Sequence, residues 1–259
     1  MISLQNKIVL ITGASSGIGE ACAKLLAANG AQLILTARRG ERLIKLAEEL
    51  KETYGTVCLI RQLDVRDKSA VQSFVYSLPA EWQPIDVLIN NAGLALATDP
   101  LQTGDIENWD IMIDTNVKGL LYVSRNILPG MIERGRGHVV NIGSIAGQDS
   151  YQNGNVYSAT KHAVRALTKS MRLDLSGTPI RVTEIAPGAV ETEFSVVRWS
   201  DQEKANAFYK DFTPLLAADI ADAVHYCLTR PLHVDIAEMT IMPTDQAACS
   251  FISRKGKTS

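Results

Sequence analysis

Tyr157 and Lys161 stand four residues apart in Asn155–Leu175, a stretch whose apolar spacing predicts a helix. At that separation two side chains share one helix face, with about 5–6 Å between Cβ atoms. A phenol ionises near pH ~10 and is a poor base at neutrality. A neighbouring ammonium favours the phenolate, so such a pair can give and take a proton around pH ~7. The spacing alone is a common accident. Here it is accompanied by Ser144 after the apolar run Val139–Gly143, by Asn116 inside the long predicted helix Asp105–Arg134, and by Asn90-Asn91-Ala92-Gly93. Each sits beside the end of a predicted parallel strand or on a flanking helix, the edge where ligands of open α/β sheets collect.

A second feature lies near the amino terminus. The run Lys7–Thr12 leads into Gly13-Ala14-Ser15-Ser16-Gly17-Ile18-Gly19, and a helical pattern starts at once. Glycines let backbone approach a pyrophosphate, and the helix start offers free N–H groups and a positive dipole end. The context, between the first strand and first helix of a βαβ pattern, is the one a dinucleotide site requires. Beyond the second strand, where an acid would take a ribose 2′-hydroxyl, the chain reads Thr36-Ala37-Arg38-Arg39. A guanidinium grips a 2′-phosphate that a carboxylate would repel. The expected coenzyme is therefore NADP(H), with Arg38 as main contact, Arg39 near the adenine and Ser15 as an added hydroxyl. Two solvated arginines at a helix start would look the same in the sequence.

The elements that must position these groups alternate along the chain. Strands are predicted at Lys7–Thr12, Gln32–Thr36, Thr56–Leu63, Asp86–Asn90, His138–Gly143, Ile180–Ile185 and Glu238–Met242. Helices are predicted at Gly17–Asn29, Glu41–Tyr54, Lys68–Leu78, Asp105–Arg134, Asn155–Leu175 and Ile220–Thr229. Apolar strands without polar alternation imply helices on both faces. The predicted architecture is a Rossmann-type, doubly wound α/β fold around a parallel sheet of about seven strands. No linker divides the 259 residues, so one domain is expected over 1–259. Residues 195–215 interrupt the alternation as a polar, aromatic-spaced flap, and Ser253–Ser259 reads as a frayed end.

Composition excludes several classes. A net charge of −2 gives no global field for nucleic acid or anionic lipid. The four cysteines and four histidines form no metal-ligand spacing, and no metal is expected. No apolar run is long enough to span a membrane, and the first residues resemble no secretory leader, so a cytoplasmic protein is expected.

Taken together, T-G-x-x-x-G-x-G, N-N-A-G, the Ser144/Tyr157/Lys161 set with Asn116, and Pro187-Gly188-Ala189-Val190-Glu191-Thr192 resemble the short-chain dehydrogenase/reductase family from about Lys7 to Thr244. The resemblance implies that Tyr157 exchanges a proton with the substrate oxygen. By the same carry-over Lys161 lowers the phenol's pKa and binds ribose hydroxyls, Ser144 donates to the substrate oxygen, and Asn116 holds a relay water. It further implies coenzyme contacts from Gly13, Ser15, Ser16, Gly17, Ile18, Gly19, Asp64, Val65, Asn90, Ala92, Gly93, Pro187, Gly188, Val190 and Thr192. Asp64 would meet the adenine amino group, and Asn90 and Ala92 would pack by the adenosine ribose.

A narrower likeness, in Asn91–Leu96, Met112–Asn116, Leu128–Met131, Gly154–Tyr157 and Thr192–Arg198, is to NADP-dependent 3-hydroxy acid dehydrogenases acting on serine and allo-threonine. Such acids call for a cation. Arg198 is the candidate clamp, with Gln148, Asn153 and Glu193 as further substrate contacts; a surface guanidinium on a mobile segment is the other reading of Arg198. A general NADPH-dependent carbonyl or 3-ketoacyl reductase, and a nucleotide-sensing module without turnover, are the alternatives. The resemblance also suggests a homotetramer, with Asp105–Arg134 and Asn155–Leu175 pairing across subunits.

Overall fold

A computed structural model of the chain describes residues 2–254. Its strands are β1 (Ile8–Thr12), β2 (Gln32–Ala37), β3 (Cys58–Gln62), β4 (Val87–Asn90), β5 (Gly137–Ile142) and β6 (Ile180–Pro187). Next come β7 (Val190–Glu191) and β8 (Leu215–Leu216), a small separate ladder, then β9 (Glu238–Ile241), and last β10 (Gln246–Ala248), antiparallel to β11 (Phe251–Ile252). The main sheet is parallel throughout, in the order β3-β2-β1-β4-β5-β6-β9. Its interior strands are buried almost without interruption, whereas the edge strands β3 and β9 are half-exposed. That is why only the central runs read as continuous apolar blocks in the sequence.

Helices α1 (Gly17–Ala28), α2 (Gly40–Tyr54), α3 (Lys68–Tyr76), α4 (Ile106–Ile113), α5 (Leu120–Glu133), α6 (Asn155–Asp174), α7 (Glu193–Trp199), α8 (Gln202–Phe208) and α9 (Ala217–Leu228) complete the chain. Side chains of β1 alternate between two cores, as the two-residue period of a strand demands. Val9 and Ile11 pack with Leu26 of α1, Leu43 of α2 and Val224 of α9. Ile8 and Leu10 pack with Phe74 of α3, Ile127 of α5 and Val164 of α6. Because β1 has β2 on one side and β4 on the other, the order in which strands are added reverses there and opens a crevice beyond the strands' carboxyl ends.

The single helix expected over Asp105–Arg134 is not continuous. Between α4 and α5, Asp114–Gly119 form a π-helical turn. The extra residue brings Thr115 and Asn116, neighbours in sequence, into the interior together with Gly119. A regular turn would splay two consecutive side chains by about 100°. Propensity carries no signal for this, because the turn is fixed by the distant partners of Asn116. Such bulges recur at functional sites.

Candidate active site

Gly13 and Gly17 have φ angles of +67° and +57°, a region nearly closed to other residues. A Cβ on Gly13 would lie 2.9 Å from the Ala92 Cα. One on Gly19 would lie 2.5 Å from both the Asn91 side-chain nitrogen and the Gly13 carbonyl oxygen. Asn91 braces this loop: its Nδ2 donates to the carbonyls of Thr12 (2.9 Å) and Gly13 (3.1 Å). In return, Thr12 Oγ1 accepts the backbone N–H groups of Asn91 and Ala92, each at 3.0 Å. Asn90 departs from expectation. Strand alternation turns it away from the crevice, and its Nδ2 donates to Ser124 and Asn141, each at 2.9 Å.

Acidic side chains cap α3, α4 and α8 through Asp67, Asp105 and Asp201. Ser16, at the cap of α1, accepts no bond from that helix. Its hydroxyl instead accepts from Arg39 Nη2 at 2.7 Å, while Arg39 Nε donates to Ser15 Oγ at 3.3 Å. The first-turn N–H groups of α1 therefore face the crevice without a side-chain partner. Arg38 lines the same crevice. So does Asp64, whose carboxylate accepts Arg66 Nε at 3.0 Å and Nη2 at 2.6 Å. The Arg66 hydrogen bonds hold that carboxyl below its ordinary range.

At the centre, Lys161 is buried and its Nζ donates to the Ile142 carbonyl at 2.9 Å. Burial pushes the ammonium down to about 8, opposed by the charge of Glu184. Ser144 caps the short 3-10 turn Ile145–Gly147, accepting the Ala146 N–H at 3.1 Å, and its hydroxyl donates to the Pro187 carbonyl at a long 3.5 Å. Asn116 is saturated: Nδ2 donates to the Leu94 carbonyl (2.8 Å) and Thr160 Oγ1 (3.0 Å), and Oδ1 accepts the Leu94 N–H (2.9 Å).

Tyr157 lines the same crevice. Its pKa is raised by burial and then by Tyr151, and drawn back by the hydrogen bond with Ser144 and by Arg198. Lys161 Nζ lies 5.9 Å from the ring centroid and donates to the Ile142 carbonyl.

The far end of the crevice is lined by Tyr151, Phe194, Val197, Arg198, Tyr209 and Ile252. Arg198 stacks between rings, its guanidinium carbon 5.3 Å from the Tyr151 centroid and 5.7 Å from that of Tyr157. It donates to the Tyr151 hydroxyl, while its Nε is buried without a partner. The flap is tied down at several points. Tyr209 donates to the Val190 carbonyl (2.7 Å) and shares a hydrogen with Ser195 (2.6 Å), and Trp199 Nε1 donates to Thr98 (3.2 Å).

Residues 7–203 match the family described as short chain dehydrogenase. The chain belongs to that family. It is 50% identical over 242 residues to the NADP-dependent 3-hydroxy acid dehydrogenase of Salmonella typhi, covering 93% of this chain and 96% of that protein. It is 49% identical over 246 residues to sulfoacetaldehyde reductase 2 of Chromohalobacter salexigens, covering 94% and 97%. The closed form of serine dehydrogenase complexed with NADP+ superimposes with a TM-score of 0.89 at 47% identity, over 94% of this chain and 98% of that one.

Within this short-chain dehydrogenase, one crevice of about 420 Å³ gathers Ser144, Tyr157, Lys161, Ser15, Ser16, Gly13, Gly17, Ile18, Arg38, Arg39, Asp64, Val65, Ala92, Gly93, Pro187, Gly188, Val190, Thr192 and Arg198. Of the expected substrate contacts, Glu193 also lines this crevice, whereas Gln148 and Asn153 do not. Gln148 Nε2 is held by Glu238 Oε1 and Thr240 Oγ1, each at 2.7 Å. Asn153 occupies a left-handed turn (φ +64°) beside a separate small pocket. The Glu193 carboxylate points to the arginine end, accepting from Arg39 (2.9 Å) and Arg42 (2.7 Å). The tail also differs: Ser253 N–H donates to the Asp245 carbonyl (2.7 Å) and Arg254 Nη2 to that of Phe208 (2.9 Å), which tethers the chain there. Residues 255–259 lie outside the described part. Sequence reasoning missed Asn91, Tyr151, Tyr209 and Gln246, whose Oε1 accepts the Ala189 N–H at 2.8 Å. Their partners lie 14 to 79 residues away, so no local spacing points to them.

Proposed function

We propose that this enzyme transfers hydride between NADP(H) and the C3 hydroxyl or carbonyl of small 3-hydroxy acids such as serine or allo-threonine. The observation that carries the anionic substrate is Arg198: a guanidinium beside the Tyr157 ring, with its Nε buried and unpartnered. An arginine with a spare donor inside a crevice is suited to an oxyacid head group, which would take that donor. The coenzyme is supported by the fit of its cradle. Glycines whose Cβ atoms would collide, an uncapped α1 start and three arginines at one mouth match a pyrophosphate and a 2′-phosphate. Relatives named as NADP-dependent support it too. When bound, the nicotinamide supplies hydride exchange, chemistry no side chain offers.

The chain's own residues do the rest. Tyr157 protonates the forming alkoxide in reduction or deprotonates the hydroxyl in oxidation, and Ser144 donates to the same oxygen. A phenol raised by burial is a good acid toward an alkoxide, and an added positive charge beside it makes it a usable base. Lys161, anchored on Ile142, keeps protons for ribose hydroxyls. Asn116 fixes the Leu94 peptide, and so the strand end at which Lys161 would meet a relay water.

The test is a purified-enzyme screen with NADP+ and NAD+ against serine, allo-threonine, 3-hydroxypropionate, 3-hydroxyisobutyrate and acetoacetyl thioesters. Turnover of the hydroxy acids with NADP+ is expected. Activity confined to thioesters overturns the substrate, and NAD+ preference overturns the coenzyme. A sulfonate presents Arg198 with an oxyanion of the same charge and three oxygens in place of a carboxylate's two, and the similarity to a sulfoacetaldehyde reductase favours adding sulfoacetaldehyde as a second substrate class.

The reading includes one domain over 1–259, residues 195–215 as the substrate flap, and a homotetramer. Ile106, Ile113, Leu121, Ile132 and Leu173 on α4–α6 are exposed apolar side chains that pairing across subunits would cover. A cytoplasmic setting is supported by four unpaired cysteines, two of them buried. Among the described residues, no helix is long and apolar enough to cross a membrane.

A further inference from the structure

Glu193 opens α7, the helix that also carries Arg198, yet its carboxylate reaches the opposite end of the crevice. There it accepts from Arg39 Nη1 at 2.9 Å and from Arg42 Nη1 at 2.7 Å. All three nitrogens of Arg39 are thereby engaged, on Ser15, Ser16 and Glu193. Two guanidinium groups and two hydroxyls converge on one place, and the chain fills it with its own anion. Thr192, the preceding residue, lies against Gly17 of the glycine loop, so this corner of the flap is seated directly on the coenzyme cradle.

We propose that Glu193 competes with the coenzyme's 2′-phosphate for Arg39 and Arg42, and so sets from the flap side how strongly phosphorylated and unphosphorylated dinucleotides are distinguished. The inference rests on the NADP(H) reading above. A dianionic phosphate arriving at Arg39 meets a carboxylate held ionised by Arg42 and Arg39. Either the acid leaves both guanidinium groups or two anions share them, and each course costs affinity. A dinucleotide without that phosphate pays neither cost. The ion pairs are exposed, so the penalty is modest, about one pair's worth of energy. It also adds Arg42, which the glycine-loop motif does not reach, to the groups that receive the phosphate.

The experiment is direct binding of NADP+, NAD+ and adenosine 2′-monophosphate by calorimetry, with wild type, Glu193→Gln, and Glu193→Gln combined with Arg39→Ala and Arg42→Ala. Glu193→Gln is expected to tighten NADP+ and adenosine 2′-monophosphate about fivefold and to change NAD+ by less than about twofold. With both arginines removed, the glutamine should bring no gain. Unchanged or weaker NADP+ binding in Glu193→Gln overturns the proposal, as does equal tightening of NAD+, which would mark a general loosening of the flap. A wild type that binds NADP+ no better than NAD+ overturns the coenzyme reading itself, a result distinct from both.

Discussion

At the coenzyme end of the crevice, position is written into backbone. Gly13 and Gly17 hold left-handed conformations, and the Asn91 amide clamps the carbonyls of Thr12 and Gly13. At the substrate end, position is held by side chains arriving from five separate stretches: Ser144, Tyr151, Tyr157, the flap around Arg198, and the tethered segment Gln246–Ile252. A backbone-built site depends on the absence of atoms, so it is damaged by adding a methyl group. A side-chain-built site depends on particular functional groups, so it is damaged by removing them. The same distinction explains how one family can keep its coenzyme cradle while its substrates vary.

The largest effect should follow from removing the phenol's hydroxyl. Tyr157→Phe is expected to lower kcat at least about 10²-fold, the low end for a positioned acid and base, with dinucleotide affinity nearly unchanged. Steady-state turnover beside NADP+ binding checks this. Retained turnover would remove Tyr157 from the chemistry and leave the substrate end without its central group. The converse change is Gly19→Ala at the coenzyme end. Its methyl would lie 2.5 Å from the Gly13 carbonyl, a backbone atom that cannot rotate aside. Overpacking of this kind costs about 2 kcal/mol, which weakens dinucleotide binding about thirtyfold. Normal affinity in that variant would mean the loop is not held as rigidly as the Asn91 bracing requires.

The same contrast governs what could be read from residues alone. The glycine loop is contiguous, Tyr157 and Lys161 are helically spaced, Arg39 and Ser144 each follow the end of a strand, and the seven-strand parallel sheet follows from apolar runs buried on both faces. Gln148 and Glu193 are held by partners that only the fold supplies, and Asn153 sits in a left-handed turn outside the crevice. The π-helical turn was illegible for a related reason. Asn116 leaves the helical period to bond Leu94 and Thr160, residues 22 and 44 positions away. Lys161 shares a helix face with Tyr157 as the spacing requires, but which acceptor takes its ammonium is settled by β5.

Arg198→Ala separates recognition from chemistry. Loss of a charge-assisted bond to an anionic head group is expected to raise KM for 3-hydroxy acids about tenfold. For a neutral aldehyde or secondary alcohol the change should stay under about threefold. Equal effects on both classes would reduce Arg198 to packing among Tyr151, Tyr157 and Trp199, its stacking partners.

The smallest effect tests whether the side-chain-built half leans on a charge buried beneath it. Asn90, Asn141, Glu184 and Glu238 are successive partners across β4, β5, β6 and β9, a polar row one layer below Ser144 and Lys161. Glu184 is only 1% exposed, and its Oε1 has no hydrogen-bond partner. Burial, then Glu238, pushes its carboxyl up to about 7, against Arg165, Lys161 and Lys169 of α6. A carboxyl whose folded pKa exceeds its unfolded one binds more protons in the native state between the two values. Its contribution is therefore full below about pH 4.5 and is lost as pH rises through about 7. Lys161, pushed down to about 8, titrates above this window, where its own contribution has the opposite sign and rises with pH. Glu184→Gln cannot titrate. Relative to wild type, its stability should improve by about 1 kcal/mol between pH ~5 and ~7.5, a gain of about 2–4 °C in Tm. The same substitution removes the negative charge that supports the Lys161 ammonium, so the alkaline fall in kcat/KM should begin at lower pH. Thermal unfolding across pH, read beside the activity profile, decides it. Parallel curves for the two proteins would place Glu184 among neutral packing groups and leave the ammonium to be held by the Ile142 carbonyl alone.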